Sequence, residues 1–174
     1  MRARRRLVIG ATYHVVARAN RREFILSEQK VKELFLVTLS RARRKFAFEV
    51  VSLCVMENHF HLVIRPGKNE SLSLIMQWLL SVFAINFNRR KQLHGHVWYD
   101  RFKSNVIGSL RQYQNTLRYI ANNPVRAGIV CDSRHYAYSA ERLSRDGPPG
   151  IVDPPSLLIK LLFPELGRLS LASS

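Results

Sequence analysis

Residues 46–66, FAFEVVSLCVMENHFHLVIRP, place two runs of β-branched, aromatic and aliphatic residues on either side of Glu57 and Asn58. Strands joined by so short a connection must lie antiparallel and side by side. So dense an apolar load must also be buried, so other elements have to pack on this hairpin. The rest of the chain supplies them. TYHVVARA, residues 12–19, reads as a first strand, followed by the basic turn Asn20-Arg21-Arg22. Ser27 opens a helix in which Val31, Leu34, Phe35, Thr38 and Leu39 keep the spacing of one helical face, and Ser71 caps a second helix carrying Leu72, Ile75, Met76, Leu79, Leu80 and Phe83. HVWYDRFKSNVI, residues 96–107, reads as a fourth strand bent near Asp100. A last helix runs from about Leu110 to just before Pro124, because the residue preceding proline is pushed out of the helical region. The order βαββαβα predicts an α+β, ferredoxin-like fold: one antiparallel sheet with helices on one face.

The hairpin and its neighbours span residues 1–143, which we expect to form one domain with a basic N-terminal arm. Beyond Leu143 the composition shifts to SRDGPPGIVDPP, so residues 144–174 read as a Pro/Gly-rich linker and a short apolar segment, LLIKLLF. Charge narrows the partners. Twenty-eight Lys and Arg face 12 Asp and Glu, a formal charge of +16, as expected of a protein that holds a nucleic acid. Two cysteines, Cys54 and Cys131, are too few for a disulfide scaffold or a thiolate metal cluster. No apolar stretch approaches the ~20 residues needed to cross a bilayer, and the start, MRARRRLVIGATYHVV, does not read as a signal peptide. We therefore expect a cytoplasmic, nucleoid-associated protein.

Within the hairpin, residues i and i+2 of a strand face the same way, so His59 and His61 lie side by side while Phe60, Leu62 and Ile64 point to the opposite face. Two imidazoles fixed on one strand make half of a divalent metal site. Two half-exposed histidines that bind nothing would show the same spacing, so a third group must be found. The last helix offers one. Its apolar stripe is Leu110, Tyr113, Leu117 and Ile120; Tyr119 lies off that stripe, and Asn123, four residues on, shares its face. A phenol and a carboxamide then point the same way. His94-Gly95-His96 repeats the histidine spacing, but its turn-like neighbours place it in a loop.

Together, His59-Phe60-His61 on a strand and Tyr119-Ile120-x-x-Asn123-Pro124 on a later helix resemble the single-tyrosine HUH transposases of bacterial insertion sequences. They are more closely similar to the REP-associated tyrosine transposases, whose helix continues into an ending like Val125-Arg126-Ala127-Gly128-Ile129-Val130. The resemblance covers roughly residues 10–140. It implies a metal-dependent endonuclease and transposase that nicks and rejoins single-stranded DNA near hairpins through a 5′-phosphotyrosine. It also implies Tyr119 as nucleophile, and His59, His61 and Asn123 as ligands of Mg²⁺ or Mn²⁺. The chain departs from the pattern at Glu57, where such families usually have proline before the Asn-His pair.

Tyrosine titrates near pH 10, so about one in a thousand is ionised at neutral pH and a nucleophilic tyrosine needs help. Candidate phosphate contacts are Arg2, Arg4, Arg5 and Arg6 in the arm, Arg21 and Arg22, the helix-end clusters containing Arg43, Arg44, Arg89, Arg90 and Lys91, and Arg101 and Lys103 in the fourth strand. Trp98, Tyr99 and Phe102 are candidates for base stacking, with core packing the expected role of at least two. Tyr99 rivals Tyr119 as nucleophile. The competing functions are a catalytically silent DNA- or RNA-binding protein of the same fold and a metal-dependent phosphohydrolase or nucleotide-binding enzyme. Histidine-triad nucleotide-binding proteins place a third histidine where this chain has Val63. The resemblance leaves monomer and homodimer both open.

Overall fold

The computed structural model describes residue 8 and residues 10–154. The arm arginines Arg2, Arg4, Arg5 and Arg6 and the segment LLIKLLF lie outside the described residues. Four strands, β1 (Thr12–Arg18), β2 (Phe48–Val55), β3 (His59–Pro66) and β4 (Lys103–Ile107), form one antiparallel sheet in the order β2-β3-β1-β4. Helices α1 (Gln29–Lys45) and α2 (Leu72–Lys91) connect them. Beyond β4 come α3 (Leu110–Ala121), α4 (Asn123–Arg126) and α5 (Ala140–Asp146). The sheet and its order of elements are those expected.

Strand alternation divides the sheet's side chains sharply. Tyr13, Val15 and Ala17 of β1 join Phe60, Leu62 and Ile64 of β3 on the face covered by α1 and α2, where Val31, Phe35, Leu39, Leu79 and Phe83 complete the main core. Trp98 and Phe102 serve this side too: Trp98 packs edge-on to Phe60, and Phe102 is buried in the same core. On the opposite face a smaller cluster of Cys54, Met56, Val63, Ile120 and Tyr136 seats the C-terminal half of α3. The expected helical layer is thus α1 with α2, and α3 partly covers the other side.

Three local expectations shift. The first helix begins at Gln29 with no side-chain cap, whereas Ser71 Oγ accepts from Leu74 N as expected. The strand expected over residues 96–107 is continuous only from Lys103. Asp100 Oδ1 accepts from Arg101 N at 2.7 Å, a local turn that lifts the chain off the ladder, and a single bridge at Ala19 and Trp98 remains upstream. Leu110, expected on the apolar stripe, is 50% exposed, and its neighbours Ser109, Arg111 and Gln112 at the start of α3 are exposed too.

Pro124 ends the last helix where expected, but the chain restarts at once as α4 with Pro124 in its first turn, where its missing N–H costs nothing. Gly128, at φ +70°, then closes α4 in the left-handed conformation that other residues resist. The residues that read as a linker pack against the edge strand β2. Asp153 N donates to Val50 O, Asp153 Oδ2 accepts from Val50 N, and Ile151 is buried in the main core. Upstream, Tyr136 Oη donates to Val55 O at 2.6 Å. An edge strand covered in this way presents fewer unpaired backbone groups to another chain.

Candidate metal and nucleophile site

The face of the sheet away from α1 and α2 gathers the polar side chains. β1 and β3 pair with Val16 opposite His61, Arg18 opposite His59 and His14 opposite Val63. His14, His59 and His61 therefore share one face, and α3 brings Tyr119 over it. His61 sits at the centre and is only 4% exposed. Its Nδ1 lies 2.9 Å from His14 Nε2, and the two rings stack with centroids 5.2 Å apart. Its Nε2 lies 3.2 Å from His59 Nε2 and 3.1 Å from Asn123 Nδ2. The Tyr119 ring stands edge-on to His61 at 5.4 Å and to His14 at 6.4 Å, and is 43% exposed.

Each ring's outer nitrogen is held. His59 Nδ1 donates to Asn58 Oδ1 at 2.7 Å, and the Asn58 amide in turn donates to Arg22 O. Donation from His61 Nδ1 to His14 Nε2 fixes the second ring likewise. Both Nε2 lone pairs then converge, the arrangement that outer-shell partners impose on metal-binding histidines. Burial pushes the histidine pKa down, to about 4 for His59, helped by the nearby Arg18, and to about 3 for His61, helped by His59, His14 and Arg18. Burial also lowers that of His14. All three rings are neutral at pH 7, as ligation requires.

Whether these residues fit a divalent ion is a matter of distance. Two imidazole nitrogens about 2.1 Å from one ion stand about 3.0 Å apart at a right angle and about 3.4 Å apart at a tetrahedral one. The observed 3.2 Å falls between. Asn123, turned by half a turn about its amide, would present Oδ1 to the same point. Among the described residues no group of three His, Cys, Asp or Glu side chains meets the spacing of a metal site; the Asn123 carboxamide is the polar group that lies beside the histidine pair. The residues present fit a divalent ion with that ligand set.

The expected groups thus come together: His59, His61, Tyr119 and Asn123 meet from a strand and two helices. Sequence reasoning missed His14, Asn58, Arg18 and Arg126, whose guanidinium lies 5.5 Å over the Tyr119 ring. For His14 a signal was present, since it stands out of phase with the apolar residues Tyr13, Val15 and Ala17. Glu57 lies in the turn, where its carbonyl accepts from Leu26 N.

The candidate phosphate contacts divide. Arg21, Arg22, Arg101 and Lys103 line a cleft of about 530 Å³ with Val16, Arg18 and Tyr99, beside the histidines on the same face. Tyr99, 73% exposed, belongs to this cleft. Arg89 and Arg90 close α2, with Lys91 ion-paired to Glu28. Arg43 pairs with Asp153 at 2.6 Å and donates to Ile151 O. Arg43 thus anchors the C-terminal segment, and with Arg44 it ends α1 where β2 begins, the Pro66 end of the sheet and the far end from His59. His96 lines a separate depression beside α2, away from the pair.

The IS200-like transposase family matches residues 7–123. A Haemophilus influenzae protein bearing the name REP-associated tyrosine transposase is 28% identical over 105 residues, which are 55% of this chain and 60% of that protein. The chain therefore spans about 60% of the length of the curated relative it matches. The solved structure of a REP-associated tyrosine transposase bound to a REP hairpin is similar in fold. Its TM-score is 0.70 at 21% identity, over 90% of this chain and 93% of that one.

Proposed function

The chain belongs to the IS200-like transposase family, and on that premise we propose that it nicks and rejoins single-stranded DNA at the foot of hairpins of the REP type. A 5′-phosphotyrosine on Tyr119 is the intermediate. One observation carries this reading: Tyr119 stands 5.4 Å from His61, whose Nε2 meets His59 and Asn123 within 3.2 Å.

His59, His61 and Asn123 would hold Mg²⁺ or Mn²⁺. When bound, such an ion offsets charge that develops on a non-bridging phosphate oxygen. Everything else falls to the side chains. Tyr119 is exposed enough to reach a backbone phosphate and is held edge-on by His61 and His14. Its oxygen attacks phosphorus as the P–O3′ bond breaks; the phenol proton passes to water, and the leaving 3′ oxygen takes one up. Arg126 over the ring restrains it and places a positive charge beside a phenolate. One phosphodiester replaces another, so attack by a 3′ hydroxyl on the phosphotyrosine rejoins strands without an energy source. A lone tyrosine cuts one strand at a time. The cleft of Arg18, Arg21, Arg22, Arg101 and Lys103 holds the backbone electrostatically.

The test is to incubate labelled single-stranded hairpin oligonucleotides with the protein and Mn²⁺ or Mg²⁺ and resolve covalent adducts on a denaturing gel. A metal-dependent adduct that disappears in Tyr119→Phe and His59→Ala is expected. An adduct that survives Tyr119→Phe but not Tyr99→Phe would move the nucleophile to the basic cleft. Tight binding with no adduct across a broad hairpin library would leave a DNA-binding protein without this chemistry.

A further inference from the structure

α3 carries more than the tyrosine. Arg111, Asn115 and Tyr119 stand at i, i+4 and i+8, so they form one ridge about 12 Å long on the helix surface. With His14 opposite, that ridge walls a pocket of about 390 Å³. Ser109 and Gln112 border the pocket but are committed to the start of the helix. Ser109 Oγ accepts from Gln112 N, and the Gln112 amide bridges Gly108 N and Val106 O. Asn115 is exposed and Thr116 half-buried, and neither side chain makes a hydrogen bond among the described residues. Their donors and acceptors remain available to a ligand.

The contrast with the neighbouring cleft decides what that ligand is. Two steps along β1, where His14 gives way to Val16 and Arg18, the wall carries five cations. Cations at that density hold phosphates and read no sequence. Of the side chains that line the pocket beside Tyr119 one is a cation, Arg111, and the others offer two carboxamides, hydroxyls and an imidazole, with Arg126 over the Tyr119 ring. These are groups that read base edges, and a carboxamide matches the paired donor and acceptor of adenine. The ridge is about 12 Å long, so a strand running along it from Tyr119 passes over Asn115 and toward Arg111.

We propose that this pocket receives one unstacked nucleobase, adenine, beside the phosphate that Tyr119 attacks, with Asn115 reading its edge and Arg111 holding a phosphate further along. The inference rests on the strand-transfer reaction proposed above. It assigns sequence choice next to the cut to α3, and backbone grip to the cleft at the end of β1.

The experiment uses hairpin oligonucleotides in which each single-stranded position flanking the stem carries A, C, G or T in turn. Binding is followed by fluorescence anisotropy and adduct yield on denaturing gels. One flanking position should favour adenine about fivefold to a hundredfold. Asn115→Ala should level that position alone. Asn115→Asp, which only accepts, should move the preference toward cytosine. Arg111→Ala should weaken all substrates alike and lower the salt slope by about one. A base profile that Asn115→Ala leaves unchanged overturns the pocket assignment, even where adducts form. An Asn115-dependent profile in binding without any adduct keeps the pocket and removes the proposed chemistry instead.

Discussion

The two faces of β3 do opposite work with neighbouring residues. Phe60, Leu62 and Ile64 are fully buried against α1 and α2, whereas His59 and His61 turn to the side where α3 lies and meet each other, His14, Asn123 and Tyr119. Because side chains alternate on a strand, one segment can be locked by the core and still present a site. The core face holds the histidines at fixed height and spacing, and on the site face packing is confined to the smaller cluster around Val63 and Ile120 that seats α3. A site built this way is rigid without depending on its own contacts.

The comparison breaks most visibly in a pair of adjacent substitutions. Phe60→Ala should cost about 3–5 kcal/mol of stability by opening a cavity in the main core. His61→Ala should cost only about 1 kcal/mol while abolishing the covalent adduct. Urea unfolding with the adduct assay measures both, and comparable stability losses would mean that the two faces are not separable.

A smaller effect sharpens the same point. His14 is not itself a proposed ligand, yet its Nε2 lies 2.9 Å from His61 Nδ1 and so holds the His61 ring from the side away from His59. His14→Ala should weaken Mn²⁺ binding about 10- to 100-fold with little change in melting temperature; calorimetric titration reads the first and a thermal scan the second. An unchanged affinity would place His14 outside the site.

The two faces also differ in their response to pH. An unfolded histidine protonates near 6.5, but His59 and His61 hold off to about 4 and about 3. Between those values the unfolded chain binds more protons, so stability falls as pH drops below about 6.5 and the histidine contribution to that fall ends once the folded rings protonate. The metal-free protein should melt at progressively lower temperature from pH 7 to pH 4, and His61→Ala should show a shallower decline. Parallel slopes would mean that the histidines are solvated alike in both states.

Much of this site was legible before folding. The i, i+2 spacing put His59 and His61 on one face, since that pattern depends only on the geometry of their own strand; Tyr119 and Asn123, read as one four-residue step of a single helix, lie instead on α3 and α4 and each reaches His61 separately. The fourth strand was overextended because Val97, Trp98 and Phe102 have strand-like chemistry, yet the turn at Asp100 takes precedence over it. Arg43 looked like a phosphate contact because charge runs carry no address; its partner Asp153 lies 110 residues away.

The sequence by itself determined the order of elements, the basic character, and the facing of each candidate side chain relative to its own strand or helix. Only the tertiary structure decided that β1 lies beside β3 in the register that brings His14 to His61, and that α3 crosses the face opposite α1 and α2. The physical reason is one of range. Periodicity of two or 3.6 residues orients a side chain about its own axis, whereas which axes meet is settled by long-range burial, here of Ile120 against Val63 and of Phe60 against Phe35.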